Sequence, residues 1–160
     1  MRAAVLTVSD GVHHGTREDR SGAALTALLE REGFAVERRV VADEAGAITA
    51  ALIELADTSS VVLTTGGTGF TPRDVTPEAT RPVLEREAPG IAEAIRADAR
   101  TKTPHAMLSR GLAGLRGPTL IVNLPGSPGG CEDGFAVLQP ALLHAIQLAA
   151  GDQTSPHRQT

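Results

Sequence analysis

The 160 residues carry a formal net charge of -4 and are 41% hydrophobic, with 2% aromatics and neither Trp nor Tyr. The acidity and the lack of aromatic platforms argue against a nucleic-acid surface, duplex or single-stranded. Lys102 is the only lysine and lies beside no GxxxxGK[ST] motif, which excludes a P-loop, and the single Cys131 excludes an internal disulfide.

In chain order, Ala3-Ala4-Val5-Leu6-Thr7-Val8 is a short β-prone run closed by the turn signal Ser9-Asp10-Gly11. A helix follows with Leu25, Leu28 and Leu29 on one face and Gly33 as its stop. Ala35 to Val41 alternates and reads as a second strand, and Asp43 stands at the N-cap position of a helix carrying Ile48, Leu52 and Leu55. Val61-Val62-Leu63 is a third strand, apolar throughout and so expected to be buried on both faces.

Behind it runs TTGGTGFTPRDVTPEAT, Thr64 to Thr80. Its Thr76-Pro77 reads as an N-cap and first-turn proline opening a helix through about Glu87, broken at Pro89-Gly90. Ile91 to about Arg100 is a further helix, and residues 101–118 carry no clear period. Thr119 to Val122 is a last buried strand, followed by the loop Asn123 to Gly130. The final helix carries Phe135, Leu138, Leu142, Ile146 and Ala149, with Pro140 expected to kink it. Residues 1–150 therefore read as one domain and 151–160 as a flexible polar tail. The N-terminal apolar stretch is too short for a signal peptide, and no window approaches about 18 uninterrupted apolar residues. A soluble cytoplasmic protein is expected.

Strands alternating with helices predict an α/β fold, a three-layer sandwich whose mostly parallel sheet is flanked by helices. Ligands of such sheets sit beyond the carboxyl ends of the strands. Three polar loops follow strands directly, at Ser9-Asp10-Gly11, Gly66 to Asp74 and Asn123 to Gly130, and converge on one rim if their strands are parallel neighbours. Gly66, Gly67 and Gly69 can turn successive N–H groups toward an anion, or simply make a tight turn. Thr65, Thr68 and Thr71 add hydroxyls. Pro125, Gly126 and Ser127 form a second anion-accepting turn leading into a helix N-terminus. Two such loops point to phosphate.

Asp74 reads either as a Mg²⁺ ligand between phosphates or as the side chain of a turn before Thr76. Asp43 has the same two readings, with the cap favoured by position. Asp10 orients a loop N–H or a ligand hydroxyl, or only forms its turn. Arg73 and Arg110 are candidate phosphate ligands, since guanidinium matches phosphate bidentately. His13 and His14 read as exposed loop residues and Cys131 as a packed cysteine. No nucleophile–base triad is present, and phosphoryl or nucleotidyl transfer needs none, because positioning and charge neutralisation carry it.

TVSD at Thr7 to Asp10, Asp19-Arg20-Ser21-Gly22, TTGGTG with PRDVTPEAT, LSRGLAG at Leu108 to Gly114, and NLPGSP at Asn123 to Pro128 occur in that order. Together they resemble the molybdopterin-binding domain of the MogA and MoaB molybdenum cofactor biosynthesis proteins, a domain similar to the G domains of their plant counterpart and of gephyrin. The likeness spans roughly residues 2–150. It implies Mg²⁺-dependent adenylylation of molybdopterin, with ATP and molybdopterin as substrates, and a homotrimer that can hand its product to a molybdenum-insertion protein. It marks Asp43 and Asp74 as the functional carboxylates and metal ligands. It also places the two glycine loops, with Ser9, Asp10, Ser109 and Arg110, around pterin and phosphates. Many relatives carry a lysine after the second proline of the last loop, where this chain has Gly129-Gly130; Arg17 or Arg20 is the candidate replacement. Two other readings remain: a pterin-binding carrier or scaffold without chemistry, and a nucleotide pyrophosphatase of the CinA type.

Overall fold

Six strands form a single sheet in the order β2-β1-β3-β6-β5-β4. The computed structural model describes residues 1–152; the remainder of the expected tail lies outside the described residues. The strands are β1 Arg2–Val8, β2 Ala35–Val41, β3 Val61–Thr65, β4 Arg86–Glu87, β5 Ala113–Arg116 and β6 Thr119–Leu124. The helices are α1 Asp10–His13, α2 Arg20–Arg31, α3 Ala45–Ala56, α4 Thr76–Thr80, α5 Pro89–Arg100 and α6 Pro128–Ala149.

β1 pairs in parallel with β2 and β3, and β3 with β6, so the three strands whose loops were expected to converge are neighbours. Both faces are covered, and the period-2 alternation of side chains divides each central strand between two cores. From β1, Ala3 and Val5 pack with Leu25 and Leu29 of α2, Ile95 of α5, and Phe135, Leu138 and Leu142 of α6. Ala4, Leu6 and Val8 pack on the opposite face with Ile48, Leu52 and Leu55 of α3 and with Val83. That is the three-layer sandwich. Among the described residues, no helix is long and apolar enough to cross a membrane.

The structure departs from the sequence reading at several points. The helix opening at Thr76 ends at Thr80, passes into a 3₁₀ turn at Arg81–Val83, and gives way to β4 instead of continuing to Glu87. Pro82 explains the stop, because it has no N–H to donate to the carbonyl of Glu78. Thr76 is not a cap: Val75 holds that position, and the Thr76 hydroxyl donates to the Gly66 carbonyl at 2.9 Å, tying α4 to the glycine loop. Pro89 and Gly90 do not break a helix but start α5, with proline in the first turn, where its missing N–H costs nothing. Residues 101–118, without a period in sequence, contain a 3₁₀ segment at Pro104–Leu108 and all of β5. β5 runs antiparallel to β6 through the two-residue hairpin loop Gly117-Pro118, whose first residue sits at φ +51°. Helix α6 runs as one 22-residue element through Pro140.

Candidate active site

The parallel register sets Thr7 beside Thr65 and Thr65 beside Leu124, so the loops after β1, β3 and β6 leave the same rim. They line a cleft of about 970 Å³, closed on the remaining side by the second half of α5 and by residues 103–109. Ser9, Asp43, Thr65, Gly66, Gly67, Thr68, Gly69, Asp74, Ser109, Pro125, Gly126 and Ser127 all reach it.

The glycines of the β3 loop are required sterically. Gly66 has φ +96° and Gly67 φ +68°, and a Cβ at either would lie 2.3 Å from the Val8 carbonyl oxygen or the Thr76 hydroxyl respectively. The loop is thus pressed onto the end of β1 and onto α4, which is both a tight turn and a row of amides at the mouth of the cleft. The β6 loop backs against it, a Cβ on Gly126 lying 3.3 Å from the Gly66 Cα. Thr65, expected as a ligand donor, is instead spent internally: its hydroxyl donates to the Pro125 carbonyl at 2.7 Å and so staples the two loops. The Thr71 hydroxyl is likewise engaged, by Asp74 at 2.8 Å.

Ser127 caps α6, accepting the Gly130 N–H at 3.1 Å, and Ser9 caps α1, accepting from the Val12 N–H at 3.2 Å. Cys131 lies beneath this turn, its thiol donating to the Pro125 carbonyl at 3.1 Å; burial pushes its pKa up to about 11.

The carboxylates are arranged differently from the position-based reading. The residue at the N-cap of α3 is Glu44, without a side-chain bond, so Asp43 is no cap. Instead Asp43 and Asp10 clasp each other: the Asp10 N–H donates to Asp43 Oδ2 at 2.8 Å, and the Asp43 N–H donates to Asp10 Oδ1 at 3.0 Å. Arg73 closes on Asp10 with two bonds, at 3.0 and 2.9 Å, and with the Asp43 amide it holds the Asp10 carboxyl below the usual range. Arg73 is therefore committed to an ion pair and does not stand free for phosphate. Burial, reinforced by the charges of Asp10 and Asp74, outweighs the Asp10 amide and raises the Asp43 pKa. Asp74 turns back on its own loop, Oδ2 accepting from the Thr71 N–H at 2.9 Å, and not forward toward Thr76. On both Asp43 and Asp74, Oδ1 accepts no hydrogen bond from a described residue. Two hard carboxylate oxygens beside amide-lined loops fit a Mg²⁺ that takes its remaining ligands from phosphates and water. The described residues contain no cluster of three or more His, Cys, Asp or Glu able to hold a metal alone, and His13 and His14 sit exposed at the end of α1.

Arg110 is also a correction. Its guanidinium donates to the carbonyls of Gly69 and Asp74, each at 2.8 Å, and pairs with Glu78, so it braces the glycine loop from behind. Arg17 and Arg20 both line the cleft; Arg20 pairs with Glu18 through largely exposed side chains, and Arg17 has no carboxylate partner among the described residues. Sequence reasoning missed Arg96, which also lines the cleft from α5. A lone arginine in an amphipathic helix gives no signal of its own.

Fold and cleft together define an α/β domain of the kind that seats small molecules beyond its strand ends. Residues 4–144 match the family model described as a probable molybdopterin binding domain. The chain is 37% identical over 153 residues to the molybdopterin adenylyltransferase of Helicobacter pylori strain J99, covering 92% of this chain and 87% of that one. It is 44% identical to the molybdenum cofactor synthesis protein cinnamon of Drosophila melanogaster, covering 98% of this chain but 26% of that much longer protein. It likewise spans 22% of Dictyostelium discoideum gephyrin. Among solved structures, the molybdopterin biosynthesis enzyme MoaB of Thermus thermophilus superposes with a TM-score of 0.88 at 46% identity, over 94% of this chain and 96% of that one. The chain belongs to the molybdopterin-binding domain family of molybdenum cofactor biosynthesis. A CinA protein of Thermoplasma acidophilum, 23% identical with a TM-score of 0.67, shares the fold alone.

Proposed function

We propose that the protein is a molybdopterin adenylyltransferase that uses Mg-ATP and works as a cytoplasmic homotrimer supplying a molybdenum-insertion partner. A terminal phosphate oxygen of molybdopterin bonds to the α-phosphorus of ATP, the bond from that phosphorus to the β-phosphate oxygen breaks, and pyrophosphate leaves. The observation that carries this reading is the pairing, in one cleft, of two carboxylates with unengaged oxygens and two glycine-built amide turns.

An ionised phosphate nucleophile needs no general base, so positioning is the task of the protein. Asp43 and Asp74 would hold Mg²⁺, which neutralises phosphate charge when bound. The Asp10 clasp fixes Asp43, and Arg110 fixes the carbonyls on either side of the 69–74 loop. The Gly66 N–H is held by the Leu124 carbonyl; the amides of residues 67–69 and the capped turn at Ser127 would present donors to the phosphates.

The test is incubation with molybdopterin and Mg-ATP, read by mass spectrometry for adenylylated pterin, with Asp74→Asn alongside. The expected result is product from the wild type and a loss of about 100-fold or more in the variant, with its thermal midpoint nearly unchanged. Wild-type protein that binds pterin without turnover is a carrier, and full activity in Asp74→Asn reduces that residue to a turn former. The trimer is checked by sedimentation at micromolar concentration, where a monomer removes it.

A further inference from the structure

Most of the basic side chains around the cleft have a carboxylate partner in the structure. Arg73 is held by Asp10, Arg110 by Glu78, Arg20 by Glu18, and Lys102 lies between Asp98 and Asp133. Arg96 differs. It is half-buried, it lines the cleft, and no carboxylate of the described residues lies within ion-pair distance. Its Nη1 donates to the Gly111 carbonyl at 2.8 Å and more weakly to that of Ser109 at 3.5 Å, both uncharged acceptors. No buried side-chain nitrogen or oxygen among the described residues lacks a partner, so the Nε and Nη2 donors remain accessible to solvent or ligand. The guanidinium is therefore immobilised on one edge and keeps its full charge. Arg17, the other unpaired arginine of the cleft, is exposed and has no such anchor.

We propose that Arg96 is an oxyanion-binding residue of this cleft, taking a phosphoryl group of a substrate on its free edge. A pre-positioned planar fork loses little freedom on binding and matches phosphate geometry, and no competing carboxylate has to be displaced. This rests on the reading that the substrates are phosphorylated. Two sources share that chemistry, the nucleotide polyphosphate and the terminal phosphate of the pterin.

Titration calorimetry of wild type, Arg96→Gln and Arg96→Lys separates them, using pyrophosphate, ATP, molybdopterin and dephosphorylated molybdopterin as probes. Arg96→Gln is expected to bind at least one phosphorylated probe about 10- to 100-fold more weakly. Loss toward pyrophosphate and ATP identifies the nucleotide; loss toward molybdopterin, spared in its dephosphorylated form, identifies the acceptor. Steeper salt dependence in the wild type than in the variant distinguishes a charge contact from mere bracing of residues 109–111. Unchanged affinity for every phosphorylated probe overturns the proposal, as does an equal loss toward the dephosphorylated pterin. If Arg96→Gln fails to fold, Arg96→Lys carries the test, since it keeps a cation but not the fork; wild-type affinity there overturns the proposal too. Product formation is measured separately, so a protein that binds through Arg96 yet makes no adenylylated pterin sinks the transferase reading alone.

Discussion

Replacing Gly66 by alanine tests how tightly the β3 loop is pressed onto β1, and Gly15 supplies the control. Both glycines have positive φ, +96° and +78°, so alanine at either meets the same unfavourable backbone region, at about 1–2 kcal/mol. They differ in surroundings: a Cβ at Gly15 meets nothing within 4 Å, whereas one at Gly66 sits 2.3 Å from the Val8 carbonyl oxygen. Reaching even 3.0 Å requires a retreat of about 0.7 Å. Val8 cannot provide it, because it is paired with Val41 of β2, the preceding Thr7 is paired on both sides, and the Val8 side chain is buried in the second core. The loop must move, at an overpacking cost of about 1–3 kcal/mol. Gly66→Ala should therefore destabilise by about 2–5 kcal/mol in urea unfolding, against about 1–2 for Gly15→Ala. Displacement of the amides of residues 66–69 should also weaken pyrophosphate binding in Gly66→Ala only. Equal destabilisation of the two variants, within about 0.5 kcal/mol, would refute the close approach as the reason for glycine.

Three further outcomes follow from described contacts. Asp43→Asn keeps an acceptor for the Asp10 amide but removes a carboxylate whose raised pKa means that its charged form is disfavoured by folding. A raised acid pKa costs stability above the folded value and nothing below the unfolded one, so without Mg²⁺ the variant should be slightly more stable at pH 7. That advantage should vanish as the pH falls toward 3.8, the ordinary Asp value. A Tm series across pH reads it. The Cys131 thiol, pushed up to about 11 from 9.0, should react with a disulfide reagent at pH 7 at least about 100-fold more slowly in the native than in the unfolded protein. Asn123→Ala should cost about 2–4 kcal/mol in urea, since its amide donates to Thr64 and Thr80 while its oxygen accepts the Leu112 N–H, all in the interior.

The alternation of apolar runs was enough to find the parallel strands and to put three loops on one rim if those strands were neighbours, because buried strands declare themselves by uninterrupted β-branched and aliphatic residues; that they are neighbours is a fact of the sheet order. β5 escaped notice for the opposite reason. Ala113-Gly114-Leu115-Arg116 has little β propensity and owes its strand state to pairing with β6 and β4. Helix propensity alone carries α4 on to Glu87; the missing amide of Pro82 ends it at Thr80. For the site, the glycine loops and the Asp43–Asp74 pair were legible as residue types. Their hydrogen-bond partners were not, since the Asp10–Asp43 clasp spans 33 positions and the Arg110 braces up to 41. Which arginines are spent and which remain available is a property of the packed structure. Arg96 stands out only after the neighbours of the others are known.

The reversal of β5 against β6 has a consequence for how this cleft can diversify. The loops of the common rim grow from β1, β3 and β6, whose shared register locks them together. Residues 101–112, which form the opposite wall, enter from α5 and leave into the antiparallel edge. Arg110 ties the end of this stretch to residues 68, 69 and 74, and Leu112 ties it to Asn123; the exposed part before them, residues 101–108, can change in length without disturbing the register of the central strands, at small entropic cost. The fold thus sets loops held in register by the sheet against a stretch of wall whose length the sheet leaves unconstrained.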